Sequence, residues 1–390
     1  MISSILYSQS TFRVASYNVK RFPNVSNVSN VTAAFKTVIG QFNPHILVAV
    51  ELDGSNAVQK FLSDVMPAGY KASTEVNIIW GTGNECAVFY VDSLFTYLGS
   101  SMITADTRPI AEFKFVPKNC SDTLTIFGAH FKAYDYETAR RLSAATSLRE
   151  RTAKMKPNEN YIVAGDFNIF TSAEPAFQKL LDQSTPGYFY DPLNAVGNWT
   201  NNPDFAYTHS SSPSMLTTRL DMILYSQALK DYGGIDYSQN SFSIFGNDWN
   251  HFAKSVIDGR NSWFIDFSVG SAAILASDHL PVFADFSYSV STGVDQSKEI
   301  PNSYSLSQNY PNPFNPETII NYSIPSSGQV KLSIFDLVGR EICVLINRFE
   351  EAGAHTYNLS ASSYSLSSGV YFYQLKSGGS AITKKMVLAK

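Results

Sequence analysis

The stretch Tyr161–Asn168, YIVAGDFN, is an apolar run that ends in an aspartate and an asparagine two positions apart. Tyr161–Ala164 read as a buried strand, Gly165 breaks it, and Asp166 and Asn168 project at alternate positions from its end. A strand buried on both faces has no packing reason to deliver a carboxylate and a carboxamide at its C-terminal tip. The tip is therefore a candidate for chemistry, and the same ending recurs on other strands.

Strand patterns recur in FRVASYNV, HILVAVEL, ECAVFYV, IAEFKFV, LTIFGAHF, RLDMILYS and PVFADFSY. Between them VTAAFKTVIGQF, AVQKFLSDVM, YETARRLSAATSLRERTAKM and AEPAFQKLLD carry apolar residues at helical spacing, the last opened by Glu174 and Pro175. The mixture predicts an α/β body built around sheets, with helices outside. Arg140, Arg141, Arg149 and Arg151, with Glu137 and Glu150 nearby, read as a solvated, salt-bridged helix face. Residues 231–276 read as an extended insertion whose aromatics (Trp249, Phe252, Trp263) pack it locally or shape a pocket.

The chain has 390 residues, too many for one ordinary core and enough for two domains. A hydrophobic fraction of 44% against 16% charged excludes a disordered chain. Residues 1–290 hold 21 Lys+Arg against 26 Asp+Glu, a balance of −5; residues 291–390 hold 8 against 7, or +1. Neither part has the overall basic excess of a protein that grips a polyphosphate backbone non-specifically. Cys86, Cys120 and Cys343 have no metal-ligand spacing. Cys86 and Cys120 are available to pair in an exported chain, but isolated buried thiols are the simpler reading. No stretch approaches a membrane span of about 20 apolar residues. Residues 1–9, MISSILYSQ, read as the remnant of a secretory signal peptide, or else as the start of a strand.

Five strands end in polar side chains: Asn18, Glu51, His130, Asp166 with Asn168, and Asp221. Asp278 and His279 sit side by side before a sixth. Single Asn and Asp residues after strands are ordinary turn residues. Six such endings together are the way α/β proteins gather a site at one rim of a sheet. Asn18, Glu51 and Asp278 offer hard oxygens suited to Mg²⁺, Mn²⁺ or Ca²⁺ rather than zinc. His279 has in Asp221 a carboxylate to fix its tautomer. A hard cation, an oriented water and a His–Asp pair are the requirements of phosphoester hydrolysis.

In order along the chain, SYN, VEL, GAHFKA, GDFN, RLDMIL and SDHLPV resemble the endonuclease/exonuclease/phosphatase superfamily over residues 10–290. The resemblance implies a four-layer α-β-β-α sandwich of two mixed sheets and a secreted divalent-metal-dependent phosphoester hydrolase. It implies Asn18, Glu51 and Asp278 at the metal and Asp166 on the attacking water. Asn168 is then on the phosphate or on Asp166, and His130 on the scissile phosphate. His279, oriented by Asp221, is on the phosphate or water. Arg108 in DTRPIAEF, Glu85 in NECAVFY and Lys132 in HFKA are lower-ranked candidates. His45 stands where many members have Asp, and reads as a surface or capping residue. Extracellular nucleic acid is the first substrate implied. Lipid, as in sphingomyelinases, or a small phosphorylated molecule is the alternative. A non-catalytic binding module on the same scaffold is the reading of another class.

Residues 291–302 are polar and aperiodic, a linker. Beyond them IINYSI, VKLSIFDL, HTYNL and GVYFYQLKS alternate between Pro, Gly and Ser clusters, which predicts a small all-β sandwich. NYPNPFNP, IFDLVGREI, SGVYFYQL and KKMVL in residues 303–390 resemble the C-terminal sorting domain of the type IX secretion system. That implies export through the periplasm to the cell surface or medium, with the type IX machinery as partner.

Overall fold

The structure is a computed structural model. It describes residues 7–54, 56–74, 76–77, 84–106, 108–204, 208–209, 216–230, 234–263, 266–291, 303–364 and 366–389. The chain divides into two compact units, one spanning Gln9–Gln227 with Tyr237–Val290, the other drawn mainly from residues after Val290.

In the larger unit the elements run β1 (Tyr7–Asn18), α1 (Val28–Phe42), β2 (Ile46–Asp53), α2 (Ala57–Asp64), β3 (Tyr70–Ala72), β4 (Val76–Asn77) and β5 (Asn84–Val91). Then come β6 (Phe95–Ile103), β7 (Ile110–Pro117), β8 (Leu124–His130), α3 (Thr138–Thr152), β9 (Asn160–Asp166), α4 (Pro175–Leu181) and β10 (Phe189–Tyr190). The last are β11 (Asp221–Ser226), β12 (Ile235–Tyr237), β13 (Ser243–Ile244), α5 (Phe267–Ala276) and β14 (Val282–Ser291). One sheet has the order β12-β14-β1-β2-β5-β3, with β13 on β14 and β4 on β5; the other has β10-β11-β9-β8-β7-β6. Both are mixed: β1 pairs parallel with β2 and β8 with β9, while β2–β5 and β9–β11 are antiparallel.

Alternation along each strand sorts the side chains into layers. Ala15, Tyr17, Leu47 and Ala49 pack with Phe35, Val38, Phe61 and Ala273 of α1, α2 and α5. Ala129, Val163, Met222 and Leu224 pack with Ala145 and Leu148 of α3 and Phe177 of α4. The opposite faces meet each other. A Cβ on Gly128 of β8 would lie 2.3 Å from Cys86 Sγ and 3.4 Å from Val48 Cγ1, both on the other sheet. The result is the four-layer α-β-β-α sandwich.

The predicted insertion 231–276 contains β12, β13 and α5 within its described residues. FSVGSAAILA is apolar around its whole circumference and so lacks the one-sided stripe that marks a surface helix. Asp266 caps it by accepting from the Ser268 and Val269 amides. The α3 arginines differ from the solvated face expected. Only Arg140 keeps the expected exposed ion pair, with Glu137; Arg151 reaches across to buried Glu112. Arg141 is wholly buried in an ion pair with Glu174, and Arg149 is buried against the carbonyls of Lys179, Leu180, Thr185 and Pro186. Residues eight apart return to the same helix face, here the inward one. Among the described residues the three cysteines are free. Residues 7–9, read with the leader, begin β1, while 1–6 and 292–302 lie outside the described residues.

The smaller unit has two antiparallel sheets. The first orders Ser305–Leu306, Glu317–Ile324 and Gly353–Ser360; the second Glu341–Glu350, Gly328–Phe335, Gly369–Ser377 and Ser380–Leu388. Their inner residues, among them Ile320, Leu332, Tyr357, Tyr373 and Met386, form one buried core, the predicted all-β sandwich. No helix among the described residues is long and apolar enough to cross a membrane.

Candidate active site

The strand alternation that sorts the core also assembles the site. Asn18 shares the parity of Val14 and Ser16, His130 that of Ile126 and Gly128, and Asp166 that of Ile162 and Ala164. All three therefore leave the ends of their strands on the faces that the two sheets turn toward each other. Registers align them: His130 is opposite Asp166 on the parallel β8–β9 pair, and Asp221 is opposite Asp166 on the antiparallel β9–β11 pair. Glu51 joins by a different device. Between Ala49 and Leu52 the β2–β5 register slips by one residue, and Glu51 takes φ +65°. This bulge lets Leu52 return to the helix-side core while Glu51 turns inward.

Gly165 and Asn168 serve the same end at the tip of β9. A Cβ on Gly165, whose φ is +152°, would lie 1.8 Å from the Ala129 carbonyl oxygen. Only glycine lets the strands approach so closely there. Asn168 takes φ +50° and donates its amide N–H to Asp166 Oδ1 at 3.0 Å. Its side chain donates to the Phe131 carbonyl at 3.2 Å, an acceptor shared with Arg108 at 2.7 Å.

Asp166 stands at the centre. Its Oδ2 lies 3.6 Å from His130 Nε2 and 3.8 Å from His279 Nε2, and accepts from Asn18 Nδ2 at 3.2 Å. Glu51 Oε1 lies 3.4 Å from His130 Nε2 and accepts from the same Asn18 nitrogen at 3.1 Å. His279 Nδ1 is 2.8 Å from Asp221 Oδ2. Burial drives the Asp166 carboxyl up to about 7; His279 opposes the shift, and Asp221 and Glu51 reinforce it. His279 goes the other way: burial alone would lower it, but Asp221, Asp166 and Asp278 together raise it to about 10. Its imidazolium thus shares Nδ1–H with Asp221 and turns Nε2–H toward Asp166. His130 is held neutral, first by burial and then by the charges of Arg108, His279 and Lys132.

Glu51, His130 and Asp166 are the group suited to a cation: one ligand atom of each lies within 4.8 Å of the others. Two carboxylates and a neutral imidazole converge there, and the neighbouring arginine is bonded to Phe131 instead. A mixed oxygen and nitrogen donor set with net negative charge fits a hard divalent ion. Asn18 turns its amide nitrogen to both acids, and its oxygen accepts from the Lys20 amide at 3.0 Å. Asp278 stands apart, its carboxylate 3.4 Å from Lys20 Nζ. Glu85 lies on β5 with its backbone opposite Leu52, and its side chain lies outside the described residues. Lys132 lies 5.7 Å from the Tyr134 ring centroid. His45 is half-buried and accepts from the Arg13 amide at 2.8 Å.

Thr208 and His209, which no strand pattern marks, also belong to the site. Thr208 Oγ1 accepts from the Leu220 and Asp221 amides, and its carbonyl accepts from the Leu280 amide at 2.7 Å. His209 bridges to His279 and lays its ring 4.6 Å from that of His279. Its own imidazole is lowered to about 4, chiefly by burial and then by the His279 charge. Ser277 joins the same lacing: Oγ donates to the Asn18 carbonyl and accepts from the His279 amide. The signal was slight, since a Thr-His pair in a polar stretch has no periodicity to set it apart.

A family model described as Endonuclease/Exonuclease/phosphatase family matches residues 15–279, and one described as Secretion system C-terminal sorting domain matches residues 308–389. No curated protein sequence matches significantly. Among solved structures, a humanized D. rerio TDP2 is 16% identical with a TM-score of 0.50, over 71% of this chain and 98% of that one. The human Nocturnin catalytic domain with bound sulfate is 16% identical with a TM-score of 0.50, over 72% and 97%. D. rerio TDP2 complexed with single strand DNA product is 15% identical with a TM-score of 0.50, over 71% and 99%. At such identities these likenesses establish the fold.

Proposed function

The chain belongs to the endonuclease/exonuclease/phosphatase family, and from that premise we propose a divalent-metal-dependent hydrolase that cleaves phosphodiesters by attack of water. Asp166 carries the reading: a buried carboxyl lying between a neutral His130 and a charged His279, with Asn18 donating to it. Asp166 takes the proton of the attacking water. The His279 Nε2–H, its tautomer fixed by Asp221, bonds a non-bridging phosphoryl oxygen and offsets the charge that grows there. Arg108, anchored on Phe131, adds a second cation at that rim.

Glu51, with Asn18 and Asp278 as further candidate oxygen donors, would hold Mg²⁺, Mn²⁺ or Ca²⁺ beside His130 and Asp166. When bound, such an ion neutralises phosphoryl oxygens and lowers the cost of bringing an anion to this acidic rim. Asp278, paired with Lys20 at the edge of the site, is a metal candidate in this reading and also supports the His279 charge.

Nucleic acid is the first substrate in this reading, with lipid or a small phosphate ester as the second. One fold neighbour is described with a single-strand DNA product, which speaks for that protein. The complete set of acids and histidines favours an enzyme over a binding module on the same scaffold. Residues 10–290 are the catalytic domain, 291–302 a linker and 303–390 a type IX sorting domain. The sorting tail supports secretion or display at the cell surface.

The test is hydrolysis by the purified full chain of plasmid DNA, RNA, sphingomyelin, bis-p-nitrophenyl phosphate and inositol phosphates. Each is run with Mg²⁺, Mn²⁺, Ca²⁺ or EDTA. Metal-dependent cleavage of a nucleic acid supports the leading reading, and cleavage of sphingomyelin alone replaces it with the second. No cleavage of anything removes the enzyme.

A further inference from the structure

The loop that follows β8 is built at some expense and buries little. Tyr134 and Tyr136 are 59% and 73% exposed, and their rings stack on one another, 5.5 Å between centroids and 7° from parallel. Tyr134 holds φ +76°, an unfavourable backbone state for an aromatic residue. The loop is clamped from beneath by Arg141, which is fully buried. Its fork meets both oxygens of Glu174, at 2.6 and 3.1 Å, and its remaining N–H groups donate to the carbonyls of Lys132, Tyr134 and Asp135. A buried ion pair is thus used to fix two solvent-facing rings.

The rings lie on the loop that leaves the strand end carrying His130. Lys132 Nζ lies 5.7 Å from the Tyr134 centroid, two residues beyond His130. Arg108 donates to the Phe131 carbonyl at the same strand end. Two cations, Arg108 and Lys132, therefore stand at the strand end that carries His130, with an aromatic face next to Lys132. That combination matches a nucleotide, whose base stacks while its backbone is held by charge. It matches a lipid surface poorly, because the tips are hydroxyls and Asp135 and Glu137 flank the rings.

We propose that Tyr134 and Tyr136 form a stacking subsite for a nucleobase beside the scissile phosphate, so that the substrate is single-stranded nucleic acid. The assignment rests on the phosphoesterase reading of the site. The test is fluorescence anisotropy of a labelled single-stranded oligonucleotide with the full chain in EDTA. An oligonucleotide of the same length with abasic residues, and phosphatidylcholine–sphingomyelin vesicles, are run beside it. Replacing both tyrosines (Y134A/Y136A) weakens the base-bearing strand roughly 5- to 100-fold and leaves the abasic strand unchanged; Y134F/Y136F binds as wild type. Equal loss on both strands, no loss, no binding by wild type, or loss on vesicles alone would overturn the proposal. Binding in EDTA needs no turnover. A chain that stacks bases but hydrolyses nothing with Mg²⁺ would thus lose the phosphoesterase reading, not the subsite.

Discussion

Asp166 and His279 are pushed in opposite directions by one environment, and each shift has a measurable sign. Asp166 has a folded pKa of about 7 against an ordinary 3.8. Its contribution to stability is fully present below about 3.8 and is lost as the pH rises through 7. Asp166→Asn removes that dependence. In EDTA the melting temperature of Asp166→Asn minus that of wild type should therefore grow between pH 4.5 and 8; a flat difference would mean that the carboxyl is unperturbed. His279, raised to about 10 by acids that overcome its burial, should stay protonated at pH 8 by NMR. In Asp221→Asn it should titrate much closer to neutrality, and unchanged titration would remove Asp221 as the cause. At this scale much of the site was legible, because Asp166, Asn168, Asp221 and His279 end or precede strong strand patterns. Asp278 and His279 are equally plain in the sequence, and because adjacent residues in an extended segment point to opposite sides, His279 meets Asp221 while the Asp278 carboxylate meets Lys20.

At the scale of elements, what the sequence could not carry is a matter of register and bulge. Nothing in ILVAVELD announces that one residue is skipped, yet that slip turns Glu51 inward and keeps Leu52 in the core. Gly165 is the reverse case, plain in the sequence as a break and explained only by the Ala129 carbonyl beside it. Gly165→Ala should cost several kcal/mol, the scale of changes forced on a special backbone state, and thermal or urea unfolding reads it. An unchanged midpoint would deny the close approach. The α3 arginines show why charge patterns mislead. Arg141 sits in a basic, exposed-looking run but is buried, because its partner Glu174 arrives from α4's start, 33 residues away. Removing one member of that pair, as in Arg141→Met, should destabilise by about 3–5 kcal/mol. Arg140→Met on the exposed side should change stability by less than about 1 kcal/mol.

At the scale of the whole molecule, two kinds of sequence pattern mark two bodies. Mixed strands and helices give way after residue 290 to short alternating strands, and the two sheets of the smaller unit follow those alternations closely. The polar stretch between them lies outside the described residues. If residues 303–390 are the export address, their deletion in the native host should leave the protein in the periplasm with its hydrolytic activity intact. Export of the truncated chain would refute the sorting role.

The most direct test of the account is the rate at which the full chain hydrolyses bis-p-nitrophenyl phosphate at pH 7.5 with Mg²⁺, compared with Asp166→Asn and His279→Ala. The account predicts metal-dependent turnover that falls about 10²- to 10⁴-fold in each variant, with both still folded by circular dichroism. Turnover that survives in both folded variants would contradict it.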